Sequence, residues 1–145
     1  MKTLGIDLGL KRTGLAVSDD SGQIIRRLPN LQANNQKDAL LAIYGICIDL
    51  QIRIIVIGIP KETVNNKALC SRINSLSLAL DKLFTDKSLK IKIFLFDESY
   101  TSKIALKNLV NNNINKKKRK SYLDSESACI LIEEFYYWYQ ENFKE

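Results

Sequence analysis

Residues 3–18 read TLGIDLGLKRTGLAVS, and their alternation decides the architecture. Leu4, Ile6 and Leu8 fall on one side of an extended chain, with Gly5 and Asp7 on the other. After the polar turn Gly9–Lys11, Thr13, Leu15 and Val17 alternate against Gly14, Ala16 and Ser18. A second turn, Asp19-Asp20-Ser21-Gly22, leads to a strand expected over Gln23–Leu28. Links this short join antiparallel neighbours, so the first third of the chain is a three-stranded meander.

The period then lengthens. Leu40, Ile43, Tyr44, Cys47 and Leu50 predict a helix over Gln36–Leu50. Ile54 to Ile59 is an unbroken apolar run ended by Pro60, the pattern of a parallel strand covered on both faces. Leu69, Ile73, Leu76, Leu80 and Leu83 mark a second helix, and Lys90–Phe96 a further strand ending in Asp97-Glu98. A short helix is expected over Thr101–Val110 and a loop over Asn111–Lys120. The last helix is expected from Tyr122 to Glu141, with Ala128, Leu131, Ile132, Phe135, Trp138 and Tyr139 inward. An amphipathic helix also accounts for the aromatic run Tyr136–Tyr139 more cheaply than base stacking does. This order predicts a single α/β domain over residues 1–145. Its mixed five-stranded sheet, an antiparallel meander plus two parallel strands, has helices on both faces.

Composition narrows the chemistry. With 46% apolar and 26% charged residues the chain has the balance of a folded globular protein. It has no apolar run near the ~20 residues of a membrane span. The beginning, MKTLGIDLG, lacks the apolar stretch of a signal peptide, so a cytoplasmic location is the expectation. Cys47, Cys70 and Cys129 read as reduced core residues. There is no histidine, which removes histidine general bases, histidine-activated nucleophiles and the usual zinc sites. A metal would be held by oxygen, favouring Mg²⁺ or Mn²⁺. The net charge of +6, from 22 basic and 16 acidic residues, suits a nucleic-acid partner. No membrane partner is expected, and the chain reads as a monomer or weak homodimer.

Three acids are candidates for catalysis and metal binding. Asp7 lies inside a strand expected at the centre of the sheet, where a lone carboxylate costs several kcal/mol. A metal, a basic partner, or hydrogen bonds from the Gly9–Gly14 turn would each relieve that cost. Glu98 stands at the carboxyl end of a strand, where open α/β sheets carry their sites, or in a solvated acidic turn, with Asp97 as an alternate ligand. Asp124 is either a third ligand or part of a helix-capping box with Ser121. Carboxylates drawn from distant segments suit two divalent ions about 4 Å apart on a phosphodiester. For nucleic-acid contact the candidates are Arg12, beside Asp7, and the cationic run Lys116, Lys117, Lys118, Arg119 and Lys120.

Four motifs occur in order: GIDLGLKRTGLAVSD (Gly5–Asp19), VIGIP (Val56–Pro60), FDESYTS (Phe96–Ser102) and DSESA (Asp124–Ala128). On these the chain resembles the YqgF/RuvX family of Holliday junction resolvases and pre-16S rRNA nucleases. The resemblance implies a ribonuclease H-like fold with an acidic triad at Asp7, Glu98 and Asp124, and it matches the family arginine to Arg12. It also implies a hydrolase that processes the 5′ end of the small-subunit rRNA precursor in ribosome biogenesis. The alternatives are resolution of four-way DNA junctions and a non-catalytic ribosome assembly factor. The chain departs from the family at Ser99, where an arginine is usual, and at Lys61–Val64, where Asn and Gly are usual. Actin-like ATPases also begin with a D-x-G strand and hairpin, but they need a second such unit, and none follows.

Overall fold

The computed structural model describes residues 1–9, 12–97 and 116–142, the last stretch as backbone alone up to residue 126. The strands are β1 (Thr3–Leu8), β2 (Thr13–Ser18), β3 (Ile25–Leu31), β4 (Ile54–Ile59) and β5 (Lys92–Asp97). The helices are α1 (Gln36–Leu50), α2 (Lys67–Asp86) and α3 (Lys116–Asn142), with a 3₁₀ turn at Val64–Asn66. The strands form one sheet in the order β3-β2-β1-β4-β5. β2 is antiparallel to both β1 and β3, while β4 is parallel to both β1 and β5. The mixed sheet read from the sequence is therefore the one observed.

Strand alternation builds two unlike faces. Leu4, Ile6, Leu8, Leu15, Val17, Ile55 and Ile57 point toward α1 and α2, where Ile43, Cys47, Ile73, Leu76, Leu80 and Phe84 complete a buried cluster. On the other face Ala16, Ile54 and Val56 meet Ala128, Leu131, Ile132 and Phe135 of α3. Phe94, Trp138 and Tyr139 widen that contact, their rings tilted against Phe135 and those of Trp138 and Tyr139 edge-on to Phe94. The aromatic run is thus mostly packing, although Tyr137 is 70% exposed. All three cysteines are free thiols, and burial pushes the Cys47 thiol up to about 12.

α1 matches its expected bounds, capped by the Asn35 side chain, which accepts the Asp38 N–H at 2.8 Å. β5 runs over Lys92–Asp97 rather than Lys90–Phe96 and β3 ends at Leu31 rather than Leu28, and two starts differ for a local physical reason. β3 starts at Ile25 because the Asp19 carboxylate holds the preceding turn open through Ile24. It accepts the Ser21 hydroxyl at 2.8 Å and the Ile24 N–H at 3.3 Å. The Ser21 bond chiefly holds that carboxyl below its ordinary range.

The second difference concerns α3, which begins at Lys116 rather than Tyr122. Lysine and arginine are good helix formers, so the cationic run extends the helix instead of looping. Ser121 and Asp124 lie inside that helix, and they do not form a capping box at its start. The helix expected over Thr101–Val110 lies outside the described residues.

Candidate functional site

Asp7 occupies the next-to-last position of β1, a half-buried carboxylate on the face turned toward α3. Its partner across the antiparallel pair is Gly14, which adds no side chain beside it. On the other flank Ile6 pairs with Ile57, so the row beyond belongs to Gly58. The described residues supply the Asp7 carboxylate with no hydrogen-bond or ion-pair partner. The turn beside it is occupied otherwise: the Gly9 N–H donates to the Arg12 carbonyl at 2.8 Å. A Cβ on residue 9 would stand 2.6 Å from that oxygen, so the hairpin closes only with glycine there.

Helix α3 runs over β1 in a readable register. At one end the Tyr136 hydroxyl lies 2.9 Å from Thr3 Oγ1 and 3.3 Å from Ser18 Oγ, and it donates to the Met1 carbonyl. Ser18 Oγ in turn accepts the Thr3 N–H at 3.1 Å. Two residues along the strand, a Cβ on Gly5 would stand 2.7 Å from Ile132 Cγ1 and 2.9 Å from the Ala128 carbonyl oxygen. Contacts therefore move back along α3 as they move forward along β1, and the two run antiparallel. One further pleat of β1 reaches Asp7, and one further turn of α3 before Ala128 reaches position 124.

At the same end of the sheet β5 closes with Asp97, paired with Ile59 and exposed. Glu98 follows it directly in the chain and lies outside the described residues. Arg12 is exposed beside the β1–β2 hairpin. Lys116, Lys117, Lys118, Arg119 and Lys120 form the opening turn and more of α3, again with the backbone alone described. Among the described residues no three acidic, cysteine or histidine side chains gather at one point. Of the three expected ligands, Asp7 is the one whose side chain belongs to that set.

The hydroxyl network of Thr3, Ser18 and Tyr136 and the close approach at Gly5 were not anticipated from the sequence. A signal for them was available. Thr3, Gly5 and Asp7 on β1, with Gly14, Ala16 and Ser18 on β2, make one face small or polar while the other is branched and large.

Solved structures with this architecture are RuvC-like resolvases of the ribonuclease H fold. Thermus thermophilus RuvC in complex with a Holliday junction superimposes with a TM-score of 0.61 at 14% identity, covering 94% of each chain. The yeast mitochondrial Holliday junction resolvase Ydc2 gives 0.54 at 13% identity, over 90% of this chain and 75% of that one. At such identities the likeness establishes the fold. Closer kinship comes from sequence. The profile of the RuvX family, described as Holliday junction resolvase, matches residues 1–137. A Mycoplasma mobile protein named "Putative pre-16S rRNA nuclease" is 37% identical, over 100% of this chain and 99% of its own. A Mycoplasmopsis synoviae protein of the same name is 31% identical, over 93% and 96%. The chain belongs to the RuvX family.

Proposed function

We propose that this protein is a divalent-metal-dependent nuclease that hydrolyses phosphodiester bonds in structured nucleic acid. Its substrate in this reading is the 5′ end of the small-subunit rRNA precursor, cut in the cytoplasm during ribosome biogenesis. The observation that carries the proposal is Asp7, a carboxylate with no partner among the described residues, held within a strand on the face crossed by α3. Keeping a carboxylate there costs stability unless a cation balances it. The antiparallel register of α3 on β1 supports Asp124 as its second acid. Glu98, the third acid of this reading, follows Asp97, the last residue of β5, directly in the chain.

The donor set fits the metal. With no histidine in the chain, Asp7, Glu98 and Asp124 would hold Mg²⁺ or Mn²⁺ through oxygen alone. Such an ion, when bound, lowers the pKa of water and neutralises charge on the phosphate. The remaining work belongs to the protein. Arg12 and the cations of Lys116–Lys120 draw the polyanion in and hold its backbone against the acidic end of the sheet. Gly14, without a side chain, leaves the Asp7 carboxylate open to the substrate. Among the described residues no helix is long and apolar enough to cross a membrane.

Resolution of four-way DNA junctions is the second reading, favoured by the likeness to RuvC. Cleavage of a precursor-rRNA stem and of a four-way DNA junction, each with and without Mn²⁺, separates the two. Asp7→Asn should lower cleavage at least about a hundredfold, since several kcal/mol of charge stabilisation would be lost. Binding should persist or tighten. Full activity in the variant would place the chemistry elsewhere, and binding without any cutting by the wild type would favour an assembly factor.

A further inference from the structure

A cleft of about 310 Å³ opens at the same end of the sheet as Asp7, on the opposite face, between the β1–β2 hairpin, α1 and α2. Gly9, Thr13, Asn34, Asn35, Gln36 and Arg72 line it, and among the described residues no lining residue carries a carboxylate. Three of its features favour an anion. Thr13 shares the face of Leu15 and Val17 and is 8% exposed; among the described residues its hydroxyl has no partner and no fully buried side-chain oxygen is left unpaired, so that hydroxyl is open to the cleft it lines. Arg72 is exposed and is paired with no carboxylate of the described residues.

The first turn of α1 supplies the third feature. Asn35 caps the Asp38 N–H, which leaves the N–H groups of Gln36 and Lys37 without helical partners at the positive end of the helix dipole. Asp38, in that same turn, is not among the lining residues. The walls are also fixed in place. The Ser75 hydroxyl donates to Gln36 Oε1 at 3.1 Å, stapling the start of α1 to α2 one turn from Arg72.

We infer that this cleft is a phosphate subsite, in which Arg72, the Thr13 hydroxyl and the α1 amides hold a backbone phosphate of the substrate strand next to the one being cleaved. Thr13 pairs with Leu8, the neighbour of Asp7. At about 3.3 Å per strand residue the cleft begins within roughly 7 Å of Asp7 along β1. A strand passing over the carboxyl edge of the sheet would meet both. Phosphate contacts of this kind set register rather than sequence preference, so Arg72 and Thr13 are positioning residues. The inference rests on the nuclease reading for its substrate, but not on the identity of the metal ligands.

The test is equilibrium binding of a stem-loop RNA with a single-stranded 5′ extension, metal chelated, across a range of salt concentrations. Arg72→Ala should bind about tenfold more weakly, the scale of one charge-assisted hydrogen bond. Its salt dependence should fall by roughly one phosphate contact, and Arg72→Lys should recover most of both. Thr13→Val, which keeps the shape, should weaken binding a few-fold with the slope unchanged. In a scan of single methylphosphonate replacements, one position should weaken the wild type and leave Arg72→Ala unaffected. Wild-type affinity and slope in both Arg72→Ala and Thr13→Val overturn the subsite. If Asp7→Asn still loses cleavage in that case, the failure is confined to the cleft. If Asp7→Asn cleaves normally while the position-specific effect at Arg72 holds, the catalytic reading fails and the subsite stands. No binding by the wild type overturns both.

Discussion

The two faces of the sheet are built on opposite principles. Toward α1 and α2 the strands present Leu, Ile and Val, and the helices answer with Ile43, Ile73, Leu76, Leu80 and Phe84. That face excludes water and carries most of the burial. Toward α3, β1 presents Thr3, Gly5 and Asp7, and β2 presents Gly14, Ala16 and Ser18. Over β1 and β2 the helix comes close because side chains are missing, and hydroxyls fix it there, while Leu131 and Phe135 pack on β4. The contrast teaches that the same strands can keep their bulk on one side and present the candidate acid Asp7 on the other. Alternation lets one strand, β1, serve both.

Mutations should divide along that line. The largest loss of stability is expected on the apolar face. Leu80→Ala empties a fully buried position and should cost about 2–5 kcal/mol by urea unfolding. The nuclease activity per folded molecule should stay near wild type. A smaller loss with a larger functional consequence is expected at Gly5→Ala. The new methyl would sit within 2.7 Å of Ile132 and 2.9 Å of the Ala128 carbonyl, so α3 must shift. Overpacking of this kind costs about 1–3 kcal/mol, and cleavage should fall out of proportion because Asp124 rides on the displaced helix. Activity that tracks stability alone would mean the register of α3 does not matter. The mildest case is Tyr136→Phe, which removes one hydroxyl from Thr3, Ser18 and the Met1 carbonyl and should cost about 1 kcal/mol. If thermal unfolding of Tyr136→Phe matched the wild type, the hydroxyl network would be incidental to how α3 is seated.

The apolar side of this contrast was the easier to read from the sequence. Periodicity at 3.6 located α1 end for end, and the run Ile54–Ile59 announced a buried parallel strand. The β1–β2 hairpin followed from alternation and a short glycine turn. The start of β3 was missed because it depends on one carboxylate, Asp19, folding the chain back on Ile24. The start of α3 was missed because a cationic run resembles a solvated loop in composition, although its residues favour helix. At the candidate site, Asp7 was legible as an acid out of place in a strand. The closeness of α3 at Gly5 was not read, although small and polar residues alternating along β1 and β2 were its signal, because they do not say which helix approaches them. Arg72 and Thr13 were silent, because only the folded chain brings α2 beside the hairpin. Glu98 lies outside the described residues, and its role rests on its place after β5.

The central claim concerns cations, and anomalous scattering from a crystal soaked in Mn²⁺ tests it most directly. A manganese peak bonded to the Asp7 carboxylate, with Glu98 and Asp124 completing its shell, is the predicted result. Well-ordered density for all three acids with no manganese among them, or with Asp124 turned away from β1, would contradict it.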